Sequence, residues 1–279
     1  MRYPLLTLCL SAALALPMSF AVADVINEPA TQTSTRNTPE DLFQMRLATQ
    51  RSIANFYMFN GQDENQDQLY AQVANKNATQ ALNHLNSLTV PSDPHAQAVL
   101  VELQHEMSTY ITQLNYLIAA TIEQGYTDLQ PVADLALLNS KILKDAQEVE
   151  QLINQEKNYT LPDLTKLARE QSLLMQSIAT DYAARSASVG ASFFADGEKQ
   201  PLDQLSQQFA DNLLRLENDT KNTAQTSKSL RAIQVKWRYI ERSLKNYNED
   251  SVPFVIDRNA SSITQSLEQL AADYALLGI

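Results

Sequence analysis

Glycine occurs five times in 279 residues, and cysteine and tryptophan once each. So little glycine leaves few positions for tight turns with positive φ, and no stretch shows sustained β-branched alternation. A hairpin-rich sheet fold is therefore excluded. The cysteine, Cys9, sits in an N-terminal apolar run expected to be removed, so no disulfide staples the remainder. Basic charge is also short. There are 21 Lys and Arg against 32 Asp and Glu, a net charge of −11, with no Lys/Arg run. Phosphate backbones would be repelled, and no nucleic-acid partner is expected.

The chemistry of common enzymes is missing as well. There is no Gly-x-Ser-x-Gly, no glycine-rich phosphate loop and no His-x-x-x-His. One Glu-x-x-His pair, Glu102 and His105, falls on a helical stretch, but a di-iron bundle needs two such pairs and two further glutamates. Neither His84 nor His95 has a glutamate three residues before it. No metal, no cofactor and no enzymatic activity are expected.

What is present begins with an export signal. Arg2 precedes an apolar run from Leu5 to Leu16, and Ala21-Val22-Ala23 is a small-x-small cleavage site. Residues 1–23 are read as a signal peptide cut before Asp24. No lipoprotein cysteine stands at the cut, and no long apolar stretch follows it. The chain is thus expected to be a soluble periplasmic protein. Residues 24–37 are polar, threonine-rich and aperiodic, and read as a flexible arm.

The remainder is rich in Leu, Ala, Gln and Asn, a composition that suits helices. Eight helical segments follow. The first opens on Thr38-Pro39-Glu40-Asp41, a capping hydroxyl with Pro and acids in the first turn, and stops at Asn60-Gly61. The second places Leu69, Val73, Leu82 and Leu85 on its apolar face. The third carries Val99, Leu103, Met107, Tyr110, Leu114 and Leu117 and ends at Gly125. The fourth starts near Pro131. Leu161-Pro162-Asp163 opens a fifth, extending to about Phe194 and closed by Asp196-Gly197. The sixth starts near Pro201, the seventh holds Leu230, Ile233, Trp237, Ile240 and Leu244, and Pro253 opens the eighth.

The fold class is all-α: an antiparallel helix bundle, read as two tandem four-helix units over 38–158 and 161–279, with one shared long core as the alternative. Leu69 and Val73 follow Gly61 at the same steps as Leu205 and Phe209 follow Gly197, which suggests an internal duplication. The aromatic cluster Phe56, Tyr57 and Phe59 reads as packing at a bundle end, with a ligand pocket as the other option. Phe193-Phe194 occupies a matching place in the second half.

Arg46 and Arg51 on the first helix lie between core positions. A guanidinium on the inward side of a helix is costly unless it meets an anion or a carboxylate. Five residues apart, the two diverge by about 140°, so one helix cannot aim both at one ligand. Two readings follow: like arginines meeting on one anion across a two-fold axis, or ion pairs within the chain.

The segment Arg46-Leu47-Ala48-Thr49-Gln50-Arg51 resembles the Arg-Met-Leu-Ser-Gln-Arg segment of PilJ-type domains. These are the sensory domains of type IV pilus methyl-accepting chemotaxis proteins, related to the periplasmic domains of nitrate/nitrite sensor kinases. Lys236-Trp237-Arg238-Tyr239-Ile240, Tyr247 and Val252-Pro253-Phe254-Val255-Ile256-Asp257-Arg258 are similar to the late helices of that family. The resemblance covers the first and last two helices. It implies that Arg46 holds a small oxyanion such as nitrate at a homodimer interface, with Gln50 beside it and Arg51 a second, structural arginine. It also implies a membrane receptor or a pilus or chemotaxis component as partner. Gln44-Met45 replaces the Ala-Gly that usually precedes the arginine, and no output module follows. The expected function is a periplasmic sensory or accessory binding protein. The alternatives are a purely structural adaptor bundle and an unrecognised enzyme.

Overall fold

The computed structural model describes residues 38–61, 68–187, 201–246 and 251–279. The expected signal peptide, the arm, Phe193-Phe194, Asp196-Gly197 and Tyr247 lie outside them. The described residues form eight helices and no strand. They are α1 (Thr38–Asn60), α2 (Gln68–Asn86), α3 (Pro94–Gln124), α4 (Leu129–Glu156), α5 (Asp163–Ala187), α6 (Leu202–Glu217), α7 (Ala224–Lys245) and α8 (Pro253–Leu277). None is long and apolar enough to cross a membrane.

Local chemistry sets the ends. Asp93 caps α3 by accepting from the Ala96 backbone N–H, with Pro94 at the first position. Gly125 closes α3 at φ +82, a left-handed conformation that only glycine adopts without strain. Thr223 and Thr226 form a reciprocal capping box on α7. The fourth helix starts at Leu129, two residues before the expected Pro131. Pro131 falls in the first turn, where a missing N–H breaks no helical bond.

The helices alternate up and down, so odd-numbered helices run parallel. Contacts from α5 to α1 confirm it. Arg169 reaches the Pro39 carbonyl, Thr180 donates to the Gln50 carbonyl, and Gly61 lies against Ala187. Two apolar clusters result, one from α1–α4 with Ala183 and Ala184 of α5, the other from α5–α8. They stand side by side across an α1–α5 seam, and residues 36–279 make one compact body. Central position shows in burial: 15 of the 23 residues of α1 are buried, against 7 of the 28 in α4.

The second helix corrects a sequence expectation. Leu69 is 60% exposed and Val73 only half-buried; the buried face is Ala71, Ala74, Ala78, Ala81 and Leu85. Four small residues let the α2 backbone come close to α1. The Gly-plus-eight correspondence fails with it, because Leu205 packs against the second core while Leu69 does not. Val99 also sits at the margin of the core. Phe56, Tyr57 and Phe59 are buried in the first core, with Phe56 and Tyr57 centroids 6.0 Å apart.

Candidate functional site

The three residues singled out on α1 go three ways. Arg46 turns to α4, where Nη1 donates to Glu150 Oε2 at 3.0 Å. Arg51 turns across the seam to α8 and pairs with Glu268. Gln50 is half-buried between them; its carbonyl accepts from Thr180 Oγ1 at 3.4 Å, and its buried Oε1 has no partner. The divergence expected from helical geometry is present. The structure does not bring the three together, and each arginine has a carboxylate within its own chain.

Arg46 nevertheless lines a cleft. It opens where α1, α4 and α5 meet and has a volume of about 330 Å³. Arg46, Lys166 and Arg169 supply its positive charge, and Glu150 and Glu170 its negative charge. Phe43 and Leu161 form apolar wall, and Asn154 and Thr160 add polar groups. The size falls in the range of small-molecule pockets, roughly 300–1,000 Å³. Each of the three cations has a carboxylate beside it: Glu150 for Arg46, Glu40 for Arg169 and, at 3.9 Å, Glu170 for Lys166.

Arg169 is the residue that sequence reasoning missed. It is 8% exposed. Its guanidinium lies 5.1 Å from the centre of the Phe43 ring, donates to the Pro39 carbonyl and pairs with Glu40. It therefore ties α5 to the first turn of α1. The buried Nε atoms of Arg46 and Arg169 have no hydrogen-bond partner, nor does Asn154 Oδ1. Each belongs to a residue that lines the cleft, and buried polar groups are costly when left unmet. A signal was available: Arg46 follows Pro39 by seven residues and Arg169 follows Pro162 by seven. The two arginines stand about two turns into parallel helices, at the same distance from a proline.

The opposite side of the seam is held differently. Tyr70 of α2 donates to Asp257 of α8 at 3.3 Å. Burial raises the Asp257 carboxyl above its ordinary value, and the Tyr70 hydrogen bond only partly opposes this. The late motif divides accordingly. Trp237 and Ile256 enter the second core, Asp257 enters the seam, and Arg238, Tyr239, Phe254 and Arg258 face solvent. Glu102 and His105 are both exposed on α3, and no three potential metal ligands cluster among the described residues.

No family model, curated protein or solved structure matches the chain.

Proposed function

We propose that this chain is an exported, non-catalytic sensory or accessory bundle that binds a small anion in the seam cleft and passes the bound state to a membrane signalling partner. The observation that carries the reading is that Arg46 and Arg169, each with an unpartnered Nε, line one 330 Å³ cleft together with Lys166. Because α1 and α5 are the central helices of the two clusters, a ligand between them would bias how the halves sit together. That is the differential contact a ligand-driven change requires. The PilJ-like segment at Arg46 points to an oxyanion or carboxylate ligand and to a chemotaxis or pilus component as partner. The site differs from the family's in lying within one chain.

The test is thermal stability at constant ionic strength with nitrate, phosphate and small carboxylates. A ligand at ~100 times its Kd adds about 2.7 kcal/mol. Arg46→Ala and Arg169→Ala each remove the gain, whereas Lys76→Ala on the exposed face of α2 keeps it. A wild type that ignores every anion beyond a general salt effect removes the reading. The second reading, a structural adaptor bundle, then stands on the Arg46–Glu150 and Arg51–Glu268 pairs.

A further inference from the structure

The seventh helix departs from the charge of the rest of the chain. It carries Lys228, Arg231, Lys236, Arg238, Arg242 and Lys245 against a single acid, Glu241. Glu241 is occupied by Lys245 at 2.8 Å, and Lys236 is turned onto Ser262 and Ser266 of α8. The other four, Lys228, Arg231, Arg238 and Arg242, make no ion pair with another described residue. They recur at steps of three, seven and four residues, each close to whole helical turns, so they form one stripe about 21 Å long. The stripe lies opposite the buried Leu230, Ile233, Trp237, Ile240 and Leu244. Val235 and Tyr239 stand within it, 70% and 68% exposed. A solvated helix face ordinarily mixes charges of both signs in i,i+4 pairs. A stripe of one sign with an exposed tyrosine and valine is composed instead like a contact surface, where Arg and Tyr are enriched.

The complementary surface is in the same chain. From Asp93 to Glu156, the α3–α4 hairpin holds ten Asp and Glu and two lysines, Lys141 and Lys144. Glu106 among them is buried and Glu150 pairs with Arg46, so the outer acidic surface is made by the remainder. Lys141 engages Glu102, Glu106 and Asp145. It also exposes apolar side chains: Val101, 65% exposed, adjoins Glu102, and Leu137, 54% exposed, stands one turn from Asp134. This hairpin belongs to the first core, whereas α7 packs on α6 and α8 in the second, so the two surfaces of one molecule do not meet. At physiological ionic strength charges more than about 8 Å apart are screened. The net −11 then opposes the approach of a second copy less than the local match favours it.

We propose that the outer face of α7 docks against the acidic α3–α4 hairpin of a second copy of this chain, head to tail. This goes beyond the cleft reading and does not depend on it. Such a contact is heterologous, so it does not close at two copies.

Sedimentation velocity on the full-length exported protein tests it. At about 100 µM, where a micromolar contact is populated, the average mass should rise past that of a dimer, and the rise should shrink at high salt. Arg231→Glu with Arg238→Glu should weaken association at least ~10-fold, as should Glu102→Lys with Asp134→Lys. Mixing these two double variants should restore association, because each keeps the wild-type surface that the other has lost and their two reversed surfaces also match. Circular dichroism checks that both remain folded, and the milder Tyr239→Ser should weaken association without a charge change. A wild type monomeric throughout overturns the proposal, as does association that survives both reversals or a mixture that stays apart. A monomeric wild type that sediments with phosphatidylglycerol vesicles through Arg231 and Arg238 overturns it in favour of a lipid surface.

Discussion

The two halves have the same number of helices and are held together by partly different means. The second core is built from large apolar side chains. Trp237 stacks on Phe209 with centroids 4.5 Å apart, among Leu213, Leu216, Ile233 and Ile240. Both cores also admit polar groups. In the second, the buried Gln171 amide donates to the Phe209 carbonyl at 2.9 Å. The first has two such ties between helices: Tyr110 donates to Ser52 Oγ at 3.0 Å, and the Asn139 amide donates to the Thr49 carbonyl at 3.3 Å. Its α2 face is alanine. Charge differs too: residues 38–158 hold fifteen acids and six Lys or Arg, and residues 161–279 fifteen and thirteen. Both halves bury large side chains and internal hydrogen bonds; the first differs in the alanine face that lets α2 approach α1 closely and in its excess of acids.

The sharpest way to break this comparison is at its heaviest residue. Trp237 is 1% exposed, and Trp237→Ala should cost about 3–5 kcal/mol by removing contacts and leaving a cavity. Chemical denaturation followed by circular dichroism measures it. A near-neutral result would place the packing energy of the second half elsewhere.

Next comes the seam. A Cβ on Gly61 would stand 2.8 Å from the Ala187 Cα, a backbone atom that cannot swing away. Gly61→Ala should therefore cost about 1–3 kcal/mol as overpacking. Parallel denaturation of Gly61→Ala and Ala187→Gly/Gly61→Ala checks the cause, since the second substitution removes one of the two crowding atoms and should recover part of the loss.

A smaller effect probes the polar side. Tyr110→Phe keeps the ring and strands the Ser52 hydroxyl in the first core, at a cost of about 1–2 kcal/mol. The added change Ser52→Ala should return much of it, because no polar group is then left unmet. A double-mutant cycle reads the coupling. Additive losses would mean that the hydrogen bond contributes little to holding α3 on α1.

The same contrast explains what could be read in advance. Large residues at helical steps marked α3 and α5 to α8, and glycine and proline marked most of their ends. Leu85 of the second helix was expected on the buried face, but Leu69 and Val73 were misplaced because the other buried residues are alanines, which occur on the inner and outer faces of helices alike. The divergence of Arg46 and Arg51 follows from 100° per residue. Their partners do not: Glu150 and Glu268 lie 104 and 217 residues away in sequence, and only the packing of α4 and α8 selects them among 32 acids. Arg169 was hidden for a related reason. Leu167-Ala168-Arg169-Glu170 reads as an ordinary surface turn until α1 is laid beside it. The stripe on α7 went unnoticed because its cations are spread over four turns rather than run together.

The finest distinction concerns the one seam carboxyl shifted by burial. Asp257 sits between α8 and α2, and its folded-state value is raised because the charged form loses hydration. A carboxyl raised on folding contributes stability below its unfolded value, and that contribution is lost as pH rises through the folded value. Ionising Asp257 therefore burdens the seam, and the Tyr70 hydroxyl relieves this only in part. Asp257→Asn keeps a carbonyl to accept from Tyr70 and removes the charge. The variant should melt higher than wild type at pH 7, and the advantage should vanish as pH falls below the ordinary aspartate range, where wild type is neutral as well. Melting curves of both proteins from pH 3.5 to 7 give the comparison. A variant less stable than wild type at pH 7 would show that the ionised carboxylate is held by a favourable partner. The α2–α8 side of the seam would then be an electrostatic tie like Arg51–Glu268.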